Sequence, residues 1–330
     1  MSKTNLPIPK SLPSSVLIGI AKTTWTKLWQ IMMSQLAPSN TKGDYNRPQS
    51  QFLAQISTES DNIYQPESNR YRLYVGLTCP WAHRAIIVRK LKGLEKAIDL
   101  VVVSPSSIQG GWVINEPSEG CSTLRQLYQL AKPGYQGRCT VPVLWDQKTK
   151  TIVNNESSEI IKILNSQFND FATNPSLNLY PDEVKSQIDN WNEQIYHKVN
   201  NGVYRCGFAQ TQSAYEQACQ SLFSTLDDLD QILSTHRYLC GDDLTLADIR
   251  LFTTLIRFDV VYYGLFKCNH RRIQDYTHLR RYVRDLHHLP GVAETCFIEQ
   301  YLKDYYGNLF PLNPGGIIPI TPDLSWLIKR

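Results

Sequence analysis

The chain has 330 residues, of which 42% are hydrophobic and 19% charged, with seven tryptophans. This is the composition of a folded protein long enough for two ordinary domains, and it excludes a disordered or low-complexity chain. The formal net charge of +4, from 34 basic and 30 acidic residues spread along the sequence, is too small an excess for a nucleic-acid footprint.

Residues 1 to 13, with three prolines, read as a loose arm. The apolar stretch from Val16 to Leu36 is interrupted by Lys22, Lys27 and Gln30, so no stable membrane insertion is expected. Within it Leu17, Ala21, Trp25, Leu28, Met32 and Leu36 recur at three- and four-residue steps. That spacing predicts a helix with one apolar face, expected to pack on the body of the protein in preference to a membrane surface.

Tyr71 to Gly76 reads as a strand, Thr78-Cys79-Pro80 as a turn, and Trp81 to Lys92 as a helix. Asp99 to Val103 follows as a short buried strand, parallel to the first. A long connection then carries Gly110-Gly111-Trp112 and a helical stretch around Leu124 to Ala131. Val141 to Asp146 and Thr151 to Val153 look like two strands joined by a polar turn, and a helix opens at Glu156-Ser157-Ser158-Glu159. The order βαβ then ββα is the connectivity of a thioredoxin-like α/β domain.

Beyond about Pro175 helical periodicity takes over. One stripe is Ile188, Trp191, Ile195 and Val199, a second runs from Tyr215 to Leu233, and a third from Leu246 to Val261 opens at Thr245-Leu246-Ala247-Asp248. That tetrad resembles a capping box, with the threonine accepting from a free amide, which makes Asp248 structural. The expected organisation is an arm and amphipathic helix over 1–50, a thioredoxin-like domain over 51–174 and an all-α domain over 175–330.

Eight cysteines, at positions 79, 121, 139, 206, 219, 240, 268 and 296, show neither CxxC spacing nor the histidine spacing of a zinc site. Without a leading signal peptide this fits a reduced, cytoplasmic compartment, no structural metal, and thiols that are mostly buried small hydrophobes. Cys79 is the exception. Pro80 suits the first helical position, which puts Cys79 at the cap, where free amides and the helix dipole favour thiolate over thiol. The position three residues on, where dithiol oxidoreductases carry a resolving cysteine, is Ala82. A mixed disulfide at Cys79 must therefore be cleared by an outside thiol, and the abundant cytosolic candidate is glutathione.

Val141-Pro142 enters a strand after a loop and leaves backbone groups free to pair with a bound peptide, whether the bond is cis or trans. Glu156-Ser157 offers a carboxylate, a hydroxyl and free amides at a helix start. It suits the amino and carboxylate groups of a γ-glutamyl head, and it equally suits N-capping by Ser157 with a helix-dipole contact from the glutamate. His83 and Arg84, one turn into the helix, read as packing and surface-pairing residues.

Three runs, Cys79-Pro80-Trp81-Ala82-His83-Arg84, Thr140-Val141-Pro142-Val143-Leu144-Trp145-Asp146 and Asn154-Asn155-Glu156-Ser157-Ser158-Glu159, closely resemble the glutathionyl-hydroquinone reductases, the xi-class glutathione transferases. The resemblance extends from about Gln51 to Pro319 and includes Asn201-Gly202-Val203-Tyr204 and Phe266-Lys267-Cys268-Asn269; the segment before Gln51 lies outside it. It implies the glutathione transferase fold and glutathione as co-substrate. It also implies removal of glutathione from glutathionyl-hydroquinones through a Cys79 mixed disulfide, and a homodimer formed through the helical domains. By the same resemblance Trp112, Arg138, Val141, Glu156 and Ser157 look like the glutathione site, and Tyr204 and Tyr305 like quinol-side residues that can protonate the departing ring carbon. A conjugating transferase, a thiol transferase or dehydroascorbate reductase, and a non-catalytic glutathione-binding scaffold remain as alternatives.

Overall fold

The computed structural model describes residues 13–41, 43, 45, 49–106 and 111–328. The expected arm ahead of Pro13, Gly110 and the side chain of Leu36 lie outside these residues.

Strand β1 (Tyr71–Gly76) pairs in parallel with β2 (Ile98–Pro105), Tyr71 opposite Ile98, and antiparallel with β5 (Val143–Asp146), Leu73 opposite Leu144. The two strands are joined by α2 (Pro80–Lys92), a crossover helix of the kind a parallel pair requires. β6 (Thr151–Asn154) pairs antiparallel with β5 and leads to α4 (Ser157–Ser166), which packs beside α2. Five of the six residues of β1 and all four of β5 are buried, as expected of central strands covered by helices.

One departure concerns 112–123, expected as part of a connection. Trp112–Ser118 forms strand β3, antiparallel to β2 with Val103 opposite Ile114, and Cys121–Thr123 forms β4. The six-stranded order is β4-β3-β2-β1-β5-β6. Pro117 argues against a strand from sequence, but β3 meets β4 only at Val113–Thr123 and Ser118–Cys121, with an irregularity between, so no regular ladder is asked of the proline. Helix α3 (Leu124–Ala131) starts on a capping box in which Thr123 Oγ1 accepts from the Gln126 amide and Gln126 Oε1 accepts from the Thr123 amide.

After α4 the remaining regular structure is helical. α5 (Lys185–Ile195) runs into a π-helical turn at Tyr196–Asn200, then α6 (Gly202–Gly207) and α7 (Gln212–Ile232). α8 (Leu246–Arg257), buried along its whole length, packs against α2, α5 and α10 (Thr277–His287). A second π-helical turn, Phe258–Tyr262, follows it, then α9 (Tyr263–Leu265), and later α11 (Ile298–Asn308) and α12 (Ser325–Ile328). Asp248 anchors the start of α8. Its carboxylate accepts from the Leu239 and Thr245 amides and from the Thr245 and Tyr282 hydroxyls, so the capping box expected from the sequence is present, with Asp248 reaching back to the Thr245 amide.

Two sequence expectations fail. Helix α1 (Ser14–Leu36) does not lay its periodic apolar set on the body: Leu17, Trp25 and Leu28 are exposed, Trp29 and Met32 are partly covered, and Met33 is buried. Apolar residues occupy more than one side of this helix, so periodicity alone did not select the docked face. Nor are most thiols buried; Cys121, Cys206 and Cys268 are, while the other five are partly exposed, and all eight are free. Several of the five sit at element ends, Cys79 at a helix cap and Cys139 ahead of β5, where full burial is harder to achieve.

Candidate active site

Cys79 occupies the N-cap of α2 in an extended conformation (φ −74°, ψ 120°) with Pro80 at the first helical position. Its amide donates to the Gly76 carbonyl and its own carbonyl accepts from the His83 amide, both at 3.0 Å, so backbone bonds on either side fix the thiol. Sγ lies 3.7 Å from the Val141 carbonyl oxygen, across a Val141–Pro142 bond that is cis. Gly76, at the end of β1, accepts the Trp112 ring against its backbone; a Cβ there would collide with that ring. The local sequence thus brings the strand end, the helix start and the turn before β5 to one edge.

That edge opens on a cavity of about 1020 Å³. Cys79, Trp112, Arg138, Val141 and Tyr204 line it together. Glu156 and Ser157 lie at the start of α4, next to the lining residue Asn155. The glutamate is itself the cap, accepting from the Ser158 amide at 3.2 Å and from Ser50 Oγ at 2.9 Å. Ser157 is buried inside the helix start, where its Oγ accepts from Arg84 Nη1. The expectation that Ser157 is the cap is therefore replaced by Glu156. Surface pairing fails for Arg84 and His83, both fully buried: Arg84 lies over the Trp81 ring at 4.4 Å and donates to Asn200.

The opposite wall comes from the helical half. Tyr204, on α6, shares a hydroxyl–hydroxyl hydrogen bond of 2.7 Å with Tyr305 on α11, and Tyr305 shares one of 3.2 Å with Tyr262. Burial pushes all three phenols upward, Tyr204 and Tyr305 well above their ordinary value; at Tyr204 the neighbouring Tyr262 and Cys79 charges push the same way. All three stay protonated at neutral pH. The chain of hydroxyls ends one of its members at the cavity, since Tyr204 is the lining residue and Tyr305 stands behind it.

Sequence reasoning missed the residue that ties the two walls together. Arg257, the last residue of α8, is fully buried, and among the described residues no carboxylate pairs with it. Its Nε donates to the Thr78 carbonyl, Nη2 to the Leu77 carbonyl and Nη1 to the Thr253 carbonyl, while the Tyr301 ring lies 3.8 Å from its guanidinium carbon. Nη1 also lies 2.9 Å from His83 Nδ1. Arginine only donates, so Nδ1 must be the acceptor. The proton then sits on Nε2, which meets Thr295 Oγ1 at 2.8 Å, and that hydroxyl passes its own hydrogen to the Val292 carbonyl at 2.6 Å. Burial, reinforced by the Arg257 charge, holds His83 well below its ordinary value and therefore neutral. The available signal was a charged residue inside the apolar run Leu246 to Val261.

Tyr262 and the segment ahead of Gln51 were also missed. Tyr45, Gln49 and Ser50 line the cavity, so residues outside the recognised motif set contribute to the site. Nothing in their spacing indicates this; they reach it as a covering segment, with the Phe52 amide donating to Asn155 Oδ1.

Comparison with known proteins agrees with this arrangement. The glutathione S-transferase N-terminal domain model matches residues 78–167 and the C-terminal domain model residues 212–285. The chain is 47% identical over 264 residues to the glutathionyl-hydroquinone reductase YqjG of Escherichia coli, covering 78% of this chain and 80% of the relative. It is 46% identical over 287 residues to the glutathionyl-hydroquinone reductase PcpF of Sphingobium chlorophenolicum, covering 85% and 90%. Among solved structures, the glutathione S-transferase Xi of Phanerochaete chrysosporium superposes with a TM-score of 0.83 at 44% identity, covering 87% of this chain and 95% of that one. The glutathione-bound structure of YqjG gives 0.79 at 44%, covering 84% and 94%. With the thiol, the cis-proline turn and the tyrosine wall on one cavity, the chain belongs to the glutathionyl-hydroquinone reductases, the xi class of the glutathione transferases.

Proposed function

We propose that the chain removes glutathione from glutathionyl-hydroquinones in two thiol steps at Cys79. The observation that carries this reading is that one cavity is lined by a helix-capping thiol on one side and by a partly buried, protonated phenol, Tyr204, on the other. In the first step the Cys79 thiolate attacks the thioether sulfur. The carbon–sulfur bond breaks, its electron pair and one proton go to the ring carbon, and hydroquinone leaves while Cys79 and glutathione form a disulfide. In the second step a glutathione thiolate attacks that disulfide at the glutathione sulfur, releasing glutathione disulfide and restoring the Cys79 thiolate.

A carbon leaving group needs a proton delivered as the bond breaks. Tyr204 is placed to give it, and Tyr305 and Tyr262 hold its hydroxyl in a fixed direction. Glutathione is assigned to the other wall. Val141 offers its carbonyl to the peptide backbone, Trp112 and Arg138 flank the cavity, and Glu156 and Ser157 bring the α4 start to the γ-glutamyl end. The division into 1–50, 51–174 and 175–330, dimerisation through the last of these and a cytoplasmic setting belong to the same proposal. The resemblance and eight free thiols support them.

The test is intact mass after mixing with a glutathionyl-hydroquinone, alongside steady-state reduction and conjugation of a chlorinated nitrobenzene. A single glutathione adduct on the wild type, none on Cys79→Ser, and reduction exceeding conjugation is the expected result. Dominant conjugation, or no adduct on either protein, would overturn the proposal.

A further inference from the structure

Helix α1 carries an apolar stripe on the side away from the rest of the protein. Leu17, Ile20, Leu28 and Ile31 are 48%, 55%, 50% and 59% exposed, and with Thr24 they follow steps of three, four, four and three residues. At about 100° per residue they fall within an arc of roughly 80°. Met33, fully buried, lies roughly 140–200° round the helix from Leu28 and Ile31 on the same rule. The body therefore holds the opposite face near the C-terminal end of α1, and the stripe looks outward. Trp25 continues the patch onto Phe310, their rings 6.1 Å apart and both exposed. No described helix is long and apolar enough to cross a membrane.

Charge selects the occupant. The helix bears Lys22 and Lys27, and the first 43 residues contain five lysines and no aspartate or glutamate. A second copy of α1 would set lysine against lysine with no carboxylate on either helix to compensate. A layer of anionic headgroups supplies that compensation and an apolar boundary beneath it. Lys27 lies roughly 20° from Ile20 on the helical wheel, at the border of the stripe, where its head can reach phosphates while its stem follows the apolar surface. Lys22 lies on the far side and adds attraction only through space.

We propose that α1 docks the protein, lying in the plane, on the surface of an anionic lipid bilayer, with Leu17, Ile20, Leu28 and Ile31 entering the headgroup–acyl boundary and Lys27 meeting headgroup phosphates. The test is co-sedimentation of the full chain with phosphatidylcholine vesicles containing phosphatidylglycerol, against phosphatidylcholine alone, at low and physiological salt. Binding is expected with the anionic vesicles only and weakens as salt rises. Lys27→Gln lowers it about fivefold, and Lys22→Gln lowers it less. Leu28→Glu with Ile31→Glu lowers it at least about tenfold, with the reductase rate in solution and the circular dichroism of the fold unchanged. Failure to bind anionic vesicles, or equal binding to neutral ones, would overturn the proposal. So would vesicle-free self-association that the same double substitution abolishes, because a second copy would then be what covers the stripe.

Discussion

The two walls of the cavity are built by different means. The thiol wall is local: Cys79 caps the helix just after β1, Trp112 opens β3 and Val141 stands just ahead of β5, each held by backbone geometry at one end of a single sheet. The tyrosine wall is assembled at long range, with Tyr204 and Tyr305 separated by 101 positions and joined by their hydroxyls and by the Tyr262 and Phe266 rings that both touch. The first wall presents a partly exposed thiol at a helix cap; the second presents hydroxyls set among aromatic rings, weak acids that burial keeps protonated. In the proposed mechanism attack at sulfur falls to the first wall and protonation at carbon to the second.

The largest effect expected is that of Cys79→Ser. It should lower glutathionyl-hydroquinone reduction by about 10⁴-fold or more, the scale seen when a covalent nucleophile is removed. Stability should move little, since serine nearly matches cysteine in shape and the hydrogen-bonding approach of the thiol among the described residues is a long one, 3.7 Å to the Val141 carbonyl. Steady-state rate and urea midpoint, measured together, check both halves. A residual rate within tenfold of the wild type would mean that the thiol wall is not where the chemistry begins.

The tyrosine wall can be broken separately. Tyr204→Phe should slow the reduction by about 10²-fold, the low end for loss of a general acid, and Tyr305→Phe by less, because it only orients the donor. The double variant should fall short of the product of the two, as members of one hydrogen-bonded unit do. A second substrate sharpens the contrast: glutathione disulfide also glutathionylates Cys79, but its leaving group is a thiolate that needs no proton. Adduct formation from glutathione disulfide, followed by intact mass, should therefore be the same in both tyrosine variants and the wild type. Equal slowing with both substrates would show that the tyrosines shape the cavity and do not donate.

How much of this was legible follows the same divide. The strand–turn–helix around Cys79 and the Val141-Pro142 turn are written in adjacent residues, so periodicity and helix-start chemistry found them, and with them the thioredoxin-like connectivity. Tyr204 and Tyr305 were found only through a resemblance, because one tyrosine among 18 carries no local mark of its partner. Arg257 left only the trace of a charge inside an apolar run, and Tyr262 left none: what distinguishes them is burial and partners from distant elements. The hairpin at 112–123 was read as a connection; Pro117 weakens any strand signal there, and its cost depends on a pairing irregularity that no sequence pattern shows. The helix of α1 was legible but its docking was not, because an apolar stripe says that a face will be covered, not by what.

Arg257 crosses the divide, being a residue of α8 that grips the carbonyls of Leu77 and Thr78 just ahead of the nucleophile. Arg257→Met keeps the stem and removes the donors. It leaves those carbonyls and the His83 lone pair buried without partners, at a cost of about 2–4 kcal/mol in stability. As a positioning residue it should lower the reductase rate about tenfold, and the readout that separates positioning from plain destabilisation is the split between kcat and KM, measured well below the unfolding midpoint. The loss should fall on kcat with KM nearly unchanged, and Arg257→Lys, which keeps the charge but not the fork, should restore it in part. A wild-type kcat in a folded Arg257→Met protein would reduce the arginine to a packing role.

The smallest effect is read in pH and concerns the same junction. His83 is held neutral, its folded value well below 6.5 because of burial and then the Arg257 charge. The unfolded chain binds a proton there below about pH 6.5 and the folded chain does not, so this group's contribution to stability is complete above that pH. It is lost as pH falls, with a slope of at most about 1.4 kcal/mol per pH unit. Asp259 works in the opposite sense, because burial raises its carboxyl from 3.8 to about 6: the folded state holds that proton more tightly between about pH 4 and 6, and stability from it grows as pH falls. The two slopes oppose one another over that range in the wild type. His83→Asn places an acceptor oxygen near the position of Nδ1, so it can still receive from Arg257 without titrating. It sacrifices the bond to Thr295 and part of the ring packing against Phe252 and Tyr301, and should lower stability by about 2 kcal/mol at neutral pH. Urea unfolding of the two proteins from pH 7.5 to 5 should therefore show their stability difference shrinking as pH falls below about 6.5. A difference that stays constant would mean that His83 carries the same proton in both states, and that the tautomer assigned from its arginine neighbour is wrong.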